Sequence, residues 1–172
     1  MKKIALIAAA AALTFSAQAL AQDYKKITIA TEGAYAPWNF KDSAGNLVGF
    51  ELDLAKDLCA RMKIECTIVE QAWDGIIPSL QAKKYDVIMA GMSITAKRME
   101  TITFSRDYAA TPGSFVVTKD SPFADFSTSL SALTLDDVSA EERADLDKMI
   151  ATFKGKTIGV QTSTTHENFL RE

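Results

Sequence analysis

The hydrophobic positions along the chain follow two alternating patterns. Branched and apolar residues run together in Ile27–Thr31, Glu65–Glu70 and Tyr85–Ala90, and such runs are typical of strands. Between them, Phe50–Met62 carries apolar residues at a helical spacing, and Asp74–Ala82 is predicted as a second helix. This order of strands and helices predicts an α/β fold with a parallel sheet.

Polar residues refine this outline. Charged residues fill most positions between the apolar ones of the first helix, so Glu51 and its charged neighbours are expected on a solvated face. Asp74 is the expected N-cap of the second helix, and Pro78 falls in its first turn, where proline is tolerated. The residues Asp42–Asn46 predict a turn between two short extended pieces.

The second half of the chain begins the same pattern again. Ser114–Thr118 and Lys156–Val160 are predicted strands, and Thr95–Thr101 and Leu135–Phe153 are predicted helical. A last helix is expected to open at Thr162–Thr165. A core strand needs neighbours and covering helices, and one helix follows the last strand. The second α/β unit is therefore expected to be incomplete, as in a fragment or a prematurely stopped product.

Composition narrows the class of protein. The chain has 172 residues, of which 48% are hydrophobic and 24% charged, and its formal net charge is −3. These values exclude a disordered tail, a collagen-like rod and a basic protein that coats nucleic acid.

The first residues, Met1–Ala21, have the pattern of a secretory signal. Lys2 and Lys3 precede the uncharged apolar run Ile4–Phe15, and Ala19–Ala21 gives a small-x-small cleavage site. A transmembrane anchor is the alternative, but the uninterrupted apolar stretch is too short to span about 30 Å of hydrocarbon. The mature protein is expected to be exported.

Two cysteines, Cys59 and Cys66, lie seven residues apart. In an oxidising compartment this spacing favours a local bridge between the end of a helix and the following strand, and two buried free thiols are the alternative. The chain has a single histidine and no Cys/His cluster, so neither zinc nor another cofactor is expected.

Ligands of open parallel sheets bind at the carboxyl ends of the strands, so the residues there form the candidate site. An arginine fork can clamp a carboxylate, aromatic faces can hold an aliphatic or flat group, and an acid can pair with a cation. The complementary ligand is a zwitterion with a positively charged tail. The residues gathered at the strand ends include Thr31, Trp38, Asp74, Thr162 and Ser163. The predicted ligand-binding residues are Glu32, Tyr35, Trp73, Ala90, Gly91, Met92, Ser93, Arg98, Gln161, Thr164, Thr165 and His166.

Each of these residues also has an ordinary structural explanation. Arg98 is equally compatible with a surface helix, and Tyr35 and Trp73 with a hydrophobic core. The run Thr162–Thr165 is compatible with a simple helix cap, and His166 with a surface histidine.

Several motifs resemble a known family. They are the sequences AYAPW at 34–38, GFELDLA at 49–55, WDGIIPSL at 73–80 and KYDVIMAGMSIT at 84–95, followed by Lys97 and Arg98. The chain resembles the bacterial periplasmic amino-acid-binding proteins of ABC importers, solute-binding family 3. Within that family it resembles the branch that takes lysine, arginine, ornithine, histidine and opines.

The resemblance implies a fold and a function. It implies a periplasmic-binding-protein-like α/β fold, with two lobes of mostly parallel sheet joined by a hinge. Residues 1–21 would be the signal, 22–109 the first lobe and 110–172 the start of an incomplete second lobe. The implied protein is a monomer of the Gram-negative periplasm. It would deliver a cationic amino acid or an arginine-derived opine, such as octopine or nopaline, to the permease subunits of an ABC transporter. No nucleic acid and no stable membrane insertion after signal cleavage are implied.

The resemblance also implies roles at the α-carbon end of the ligand. Arg98 would bind the α-carboxylate, helped by Ser93 and by Thr165 of the other lobe. The Ala90 carbonyl and the Ser93 hydroxyl would meet the α-ammonium group.

At the other end of the ligand, Tyr35 and Trp73 would flank the side chain, and Glu32 would pair with its cationic tail. A cysteine bridge at the position of Cys59 and Cys66 is known in this branch. Ala90–Ser93 stands where histidine and lysine binders have Ser-Ser-x-Ser. The sequence around Gln161–His166 and the longer segment 125–150 also depart from those proteins. All three departures resemble the opine-binding branch.

Two other functional classes remain as alternatives. One is an enzyme on the same fold, such as a dehydratase or a lytic transglycosylase, and the other is an extracytoplasmic sensor domain. An enzyme needs a positioned acid, base or nucleophile, and no such motif stands out in the sequence. A binding protein is therefore expected.

Overall fold

The computed structural model of the chain describes residues 25–133 and 137–171. The predicted signal, Met1–Ala21, lies outside the described residues, and so does Leu135, where the long acidic helix was expected to begin. The chain forms two compact units. Of the described residues, unit 1 comprises 25–71 and Lys83–Ala90, and unit 2 comprises Ala72–Ala82 and those from Gly91 onward.

A three-stranded parallel sheet forms the centre of unit 1. Strand β1 (Lys26–Thr31) lies between β5 (Glu65–Glu70) and β6 (Val87–Ile88). The pairing runs from Lys26 opposite Glu65 to Thr31 opposite Glu70, so β1 and β5 are bonded along their whole length. The predicted strands at 27–31 and 65–70 are confirmed.

The third strand is shorter than predicted. The sequence indicated a strand over Tyr85–Ala90, and β6 covers only two residues of it. Its hydrogen bonds to β1 nevertheless continue on both sides, because Asp86 N donates to Thr28 O and Met89 N donates to Ala30 O. The Asp86 carboxylate also accepts a hydrogen bond from Thr28 N at 2.8 Å, which satisfies this amide of β1 just before β6 begins.

A small antiparallel sheet follows β1. It consists of β2 (Ala34–Tyr35), β3 (Asn39–Lys41) and β4 (Leu47–Val48), in that order. The predicted turn at 42–46 joins β3 to β4, and the Asp42 carboxylate accepts hydrogen bonds from the backbone of Ala44 and Asn46. These bonds, above all those from Asn46, hold the pKa of Asp42 below its usual value.

Helix α1 (Phe50–Met62) has the predicted bounds, but its buried face differs from the predicted one. Glu51, Leu52, Ala55 and Cys59 are buried, whereas Met62 is 54% exposed. The expectation of a solvated Glu51 is therefore wrong, since this residue is 0% exposed. The small side chains of Ala55 and Cys59 are buried with Ile29 of the sheet, whereas the larger Phe50, Leu58 and Met62 are 41–54% exposed.

The core of unit 1 lies between α1 and the parallel sheet. Ile29, Ala55 and Cys59 are buried together, and Ile27, Ile64, Cys66, Ile68 and Met89 pack against them. A disulfide joins Cys59 in α1 to Cys66 in β5, so the predicted bridge is confirmed. The bond fixes the end of the helix to the strand that follows it.

Unit 2 is built from short helices and irregular chain. A 3-10 helix (Trp73–Gly75) leads into α2 (Ile76–Gln81), followed by α3 (Ala96–Met99), α4 (Ala140–Phe153) and α5 (Thr165–Arg171). Gly75, not Asp74, is the N-cap of α2, so the predicted Asp74 cap is wrong.

Helix α4 is the longest helix of unit 2. It begins with a capping box in which Ser139 and Glu142 bond each other's backbone amides. The Phe153 ring near its end contacts the rings of Phe115, Phe123 and Phe126 at centroid distances of 4.9–5.6 Å.

The two strands predicted in this part of the chain are not formed. Neither Ser114–Thr118 nor Lys156–Val160 is a strand, and Val116 is 89% exposed. A strand is stable only beside a hydrogen-bonded neighbour, and the described residues of unit 2 contain no sheet to provide one.

Candidate functional site

The candidate residues of unit 1 follow the end of β1. Thr31 is the last residue of the strand and Glu32 follows it, half-buried. Tyr35, also half-buried, lies in β2 opposite Asn39 in β3. Glu32 and Tyr35 therefore lie on one short segment that leaves the carboxyl end of a parallel strand, as the sequence predicted.

Gly33 sets the direction of this segment. Its φ of +76° lies in the left-handed region, and a Cβ there would approach the Leu47 Cδ2 atom to 2.7 Å. Both features favour glycine over any other residue. The segment therefore has one well-defined backbone path between Glu32 and Tyr35.

A chain of two hydrogen bonds to buried side chains, called the relay below, also holds the segment between Glu32 and Tyr35. Gly33 N donates to Asn39 Oδ1 at 2.7 Å, and Asn39 Nδ2 donates to Glu51 Oε2 at 2.6 Å. Asn39 and Glu51 are both 0% exposed. The relay connects the loop after β1 to the first turn of α1.

The candidate residues of unit 2 gather around Arg98. Its Nη1 atom donates to Ser93 O at 2.7 Å, and its Nη2 atom donates to Ser163 O at 3.0 Å. The guanidinium carbon lies 5.4 Å from the centre of the Trp73 ring. Trp73 Nε1 also donates to Ser163 O, at 3.3 Å. The structure thus brings Arg98, Trp73 and Ser93 together.

The charge of Arg98 is solvated by neutral partners. Two backbone carbonyls and one aromatic face surround it, and no carboxylate of the described residues forms an ion pair with it. Partial burial lowers the pKa of this guanidinium, because removal from water disfavours the charged form. A half-buried cation without a counter-charge is electrostatically suited to bind an anion.

Local structure fixes Arg98 in this position. Thr95 caps α3, because its hydroxyl accepts a hydrogen bond from Arg98 N at 3.2 Å. The helix prediction at 95–101 is confirmed in type, although α3 covers only Ala96–Met99. Ser93 and Arg98 are therefore separated by one capped helical turn.

The segment before α5 carries the other partner of Arg98. Ser163 has a φ of +60°, and its amide donates to Glu167 Oε2 at 2.6 Å. The Thr164 hydroxyl accepts from Glu167 N at 3.1 Å and donates to Gln161 O. Hydrogen bonds from Arg171 and then from Ser163 lower the pKa of Glu167. The start of the helix predicted at Thr162–Thr165 is confirmed, with Thr164 bonding its first turn.

Other predicted residues occupy varied positions. The side chain of Ala90 is buried at the end of the β6 segment, and Gly91 has a φ of +59°. Met92 and Thr165 are half-buried, whereas Gln161 and His166 are exposed. A Cβ at Gly113 would lie 3.0 Å from the His166 ring, so this histidine lies beside the chain at Gly113. For these six residues the described contacts give no specific ligand role.

Sequence reasoning missed two contributors to these contacts, the Asn39 amide and the Glu51 carboxylate. Ser163 was among the residues gathered at the strand ends, but no role was predicted for its carbonyl. Asp74 contributes as well, through a hydrogen bond from Thr162 Oγ1 at 2.9 Å rather than as a helix cap. Backbone carbonyls carry no residue-type signal, but the polar Asn39 in a short apolar hairpin is a signal that could have been noticed.

No group of three or more His, Cys, Asp or Glu side chains in the described part of the chain is arranged to hold a metal ion. None of the helices within residues 25–133 and 137–171 combines the length and apolar character needed to cross a membrane.

Comparison with known proteins gives several matches. An octopine-binding periplasmic protein of Rhizobium meliloti is 54% identical over 95% of this chain, which spans 55% of that protein. A histidine-binding periplasmic protein of Salmonella typhimurium is 39% identical over 100% of this chain and 58% of its own length. An L-arginine-binding protein of Pseudomonas aeruginosa is 34% identical over 98% of this chain and 56% of its own length.

These relatives are named as binding proteins, which is the class of protein that the sequence predicted. The predicted periplasmic-binding-protein-like α/β fold is supported as well. The chain spans little more than half the length of these relatives. The family described as bacterial extracellular solute-binding proteins, family 3, matches residues 27–164. The chain belongs to this family of bacterial extracellular solute-binding proteins.

Proposed function

We propose that this chain is the ligand-binding part of a periplasmic protein that delivers a cationic amino acid or an arginine-derived opine to an ABC importer. The observation that carries the proposal is the 54% identity with an octopine-binding periplasmic protein over 95% of the chain. Relatives that bind histidine and arginine support the same class of ligand. An enzyme or a sensor domain has no comparable support.

Arg98 is the proposed partner of the ligand α-carboxylate. Its charge has no acidic partner among the described residues, and its terminal nitrogens already point at backbone oxygens. A carboxylate offers two charged oxygens in the spacing of the arginine fork, so it is a stronger acceptor than either carbonyl. Ser93 and Thr165 are the proposed helpers.

Trp73 and Tyr35 are the proposed flanks of the ligand side chain, and Glu32 is the proposed partner of its cationic end. The Ala90 carbonyl and the Ser93 hydroxyl are proposed to meet the α-ammonium group. Gly91, Met92, Gln161, Thr164 and His166 remain predicted members of the site. The half-burial of Glu32 and Tyr35 on one segment after β1 supports these assignments.

Export and transport belong to the same proposal. The relatives are periplasmic, and the N-terminal pattern at Met1–Ala21 supports secretion by a cleaved signal. A monomer that hands its ligand to permease subunits is the proposed working state.

Titration of the purified protein tests the proposed ligand class. Octopine, nopaline, arginine, lysine and histidine are added separately while thermal unfolding is followed, with glutamate as an anionic control. A ligand that prefers the folded state raises the unfolding midpoint, and a concentration of 100 times Kd contributes about 2.7 kcal/mol. An upward shift with an arginine-containing ligand and none with glutamate is expected. Absence of a shift with all five ligands would refute the proposal.

Glu32→Gln tests the proposed charge selector. The variant keeps the shape of the side chain and removes its charge, so it should weaken arginine binding more than citrulline binding. Citrulline is the neutral analogue of arginine and shares the same α-carbon groups. Glu65→Gln, an exposed residue paired with Lys26, is the matched control. Equal losses for arginine and citrulline in the Glu32 variant would show that Glu32 does not select charge.

A further inference from the structure

The loop that carries Glu32 is fixed on both sides. On the strand side, Thr31 O accepts a hydrogen bond from Gln71 N at 2.9 Å. On the other side, Gly33 N donates to Asn39 Oδ1 at 2.7 Å. The backbone of Glu32 therefore lies between two hydrogen-bonded residues, and the second bond depends on a side chain.

That side chain is itself held by a second buried group. Asn39 Nδ2 donates to Glu51 Oε2 at 2.6 Å, and neither residue is exposed. Glu51 is fixed in turn by the backbone, because its amide donates to Trp38 O at 2.9 Å. A buried amide without its partners is costly, so Asn39 has one favourable orientation. The orientation of Asn39 thus determines where Gly33 lies.

We propose that the buried Asn39–Glu51 pair sets ligand selectivity, because it fixes the backbone at Gly33 and thereby positions Glu32 to distinguish cationic from neutral ligands. This inference rests on the proposed function, in which Glu32 meets the cationic end of the ligand. Asn39 and Glu51 are positioning residues and do not touch the ligand. A preorganised acid pairs with a cation at a lower entropic cost than one on a mobile loop.

The same geometry also fits a role in stability alone, and the two roles differ in what they change. A purely structural pair would lower the unfolding midpoint and weaken all ligands alike. A positioning pair would change the ratio of arginine affinity to citrulline affinity. This ratio isolates Glu32, because both ligands present the same groups to the rest of the proposed site.

Four variants distinguish these roles. Asn39→Ala removes the relay, and Glu51→Met removes the acceptor at its far end while keeping a side chain of similar size. Glu51→Gln keeps an oxygen that Asn39 Nδ2 can reach. Thr31→Val is the matched control, because Thr31 is equally buried and adjacent to Glu32, and its Oγ1 atom has no hydrogen-bond partner.

The arginine-to-citrulline affinity ratio is measured by calorimetry for each variant. Asn39→Ala and Glu51→Met should lower it about tenfold, which matches the strength of a hydrogen bond to a charged group. Glu51→Gln and Thr31→Val should leave it within about twofold of the unchanged protein. An unchanged ratio in Asn39→Ala or Glu51→Met, with folded protein, would overturn the inference.

Amide hydrogen exchange provides a test that needs no ligand and no variant. The Gly33 amide should exchange slowly in the unchanged protein, because its acceptor is a buried side chain. Fast exchange there would overturn the inference even if a variant failed to fold. An unchanged protein that binds arginine without preference over citrulline would instead refute the role of Glu32 in the proposed function, and this inference with it.

Discussion

Arg98 carries a charge that the described part of the chain does not cancel. Two carbonyls and the face of Trp73 stabilise it by dipole and quadrupole interactions, which are weaker than an ion pair. Partial burial disfavours the charged form of the side chain and so lowers the pKa of the guanidinium. An anionic ligand is the partner that would satisfy it best.

Replacement of Arg98 tests this at the scale of one residue. Arg98→Ala should weaken the binding of the tightest ligand by about 2–5 kcal/mol, because the ligand carboxylate would be left without its charged partner. Arg98→Lys should recover part of that loss, since it keeps the charge but not the planar fork. Arg61→Ala is the control, as Arg61 is exposed on α1 and pairs with Asp57. Calorimetry that showed equal affinity for the Ala variant and the unchanged protein would exclude the carboxylate role.

At the scale of elements, the Asp145 carboxylate of α4 bonds to the loop at Ser129 and Leu130. Asp145 is buried, and it accepts hydrogen bonds from Ser129 N, Ser129 Oγ and Leu130 N at 2.9–3.0 Å. The backbone bond from Ser129, followed by that from Leu130, lowers the pKa of Asp145. The loop is therefore attached to the helix by the ionised form of this side chain.

This attachment predicts a pH-dependent stability. Because the folded pKa of Asp145 is depressed, its contribution is present above the unfolded value near 3.8 and is lost as the pH falls through the folded pKa. Urea unfolding at pH 7 and at about pH 3 should show a smaller pH-dependent loss in Asp145→Asn than in the unchanged protein. Asp147→Asn, an exposed position on the same helix, should behave like the unchanged protein. If both variants retain the full pH dependence, Asp145 is not responsible for it.

The disulfide between α1 and β5 predicts a second effect on stability. It closes a loop with a sequence separation of 7, so the chain-entropy estimate is about 2–3 kcal/mol. Reduction should lower the free energy of unfolding by this amount, and the double variant Cys59→Ala, Cys66→Ala should show no further change on reduction. Rapid labelling of both cysteines without a reductant would contradict the bridge.

The elements show which features the sequence makes predictable. The bounds of β1, β5 and α1 follow from strong local periodicity, and they agree with the prediction within one residue. The buried face of α1 was mispredicted, because the approach of small residues to a sheet depends on tertiary packing. The strands expected at 114–118 and 156–160 were mispredicted for a related reason, since a strand needs a partner that local sequence does not reveal.

The candidate site shows the same division. Residue types with distinctive chemistry, such as Arg98 and Trp73, could be selected from the sequence, and the structure brings them together. The carbonyl of Ser163 could not be selected, because every residue has one. Glu51 was assigned to solvent because charged residues are usually exposed, and its buried partner Asn39 reverses that expectation.

At the scale of the whole chain, regular structure is unevenly distributed. Unit 1 contains both sheets, whereas residues 102–118 of unit 2 contain neither helix nor strand. Amide exchange should therefore be at least about tenfold slower along β1 than across 102–118, because opening a central strand requires disruption of the core.

Limited proteolysis should likewise cut the chain within 102–118 before it cuts β1 or α1. Earlier cleavage within α1 would contradict this order.

The order in which the strands of unit 1 enter their sheet determines which strand edges are unpaired while the chain is being synthesised. Strand β1 can pair with β5 once Glu70 has left the ribosomal exit tunnel, but its other edge stays unpaired until Val87 and Ile88 have left it as well. At about 5–20 residues per second, that edge stays open for roughly one to four seconds. During this interval a nascent chain presents an unpaired strand to its neighbours on the same messenger. Stalled chains just long enough to expose β5 outside the exit tunnel should accordingly be more sensitive to protease than chains long enough to expose β6 as well, and equal sensitivity would show that the edge is protected in another way.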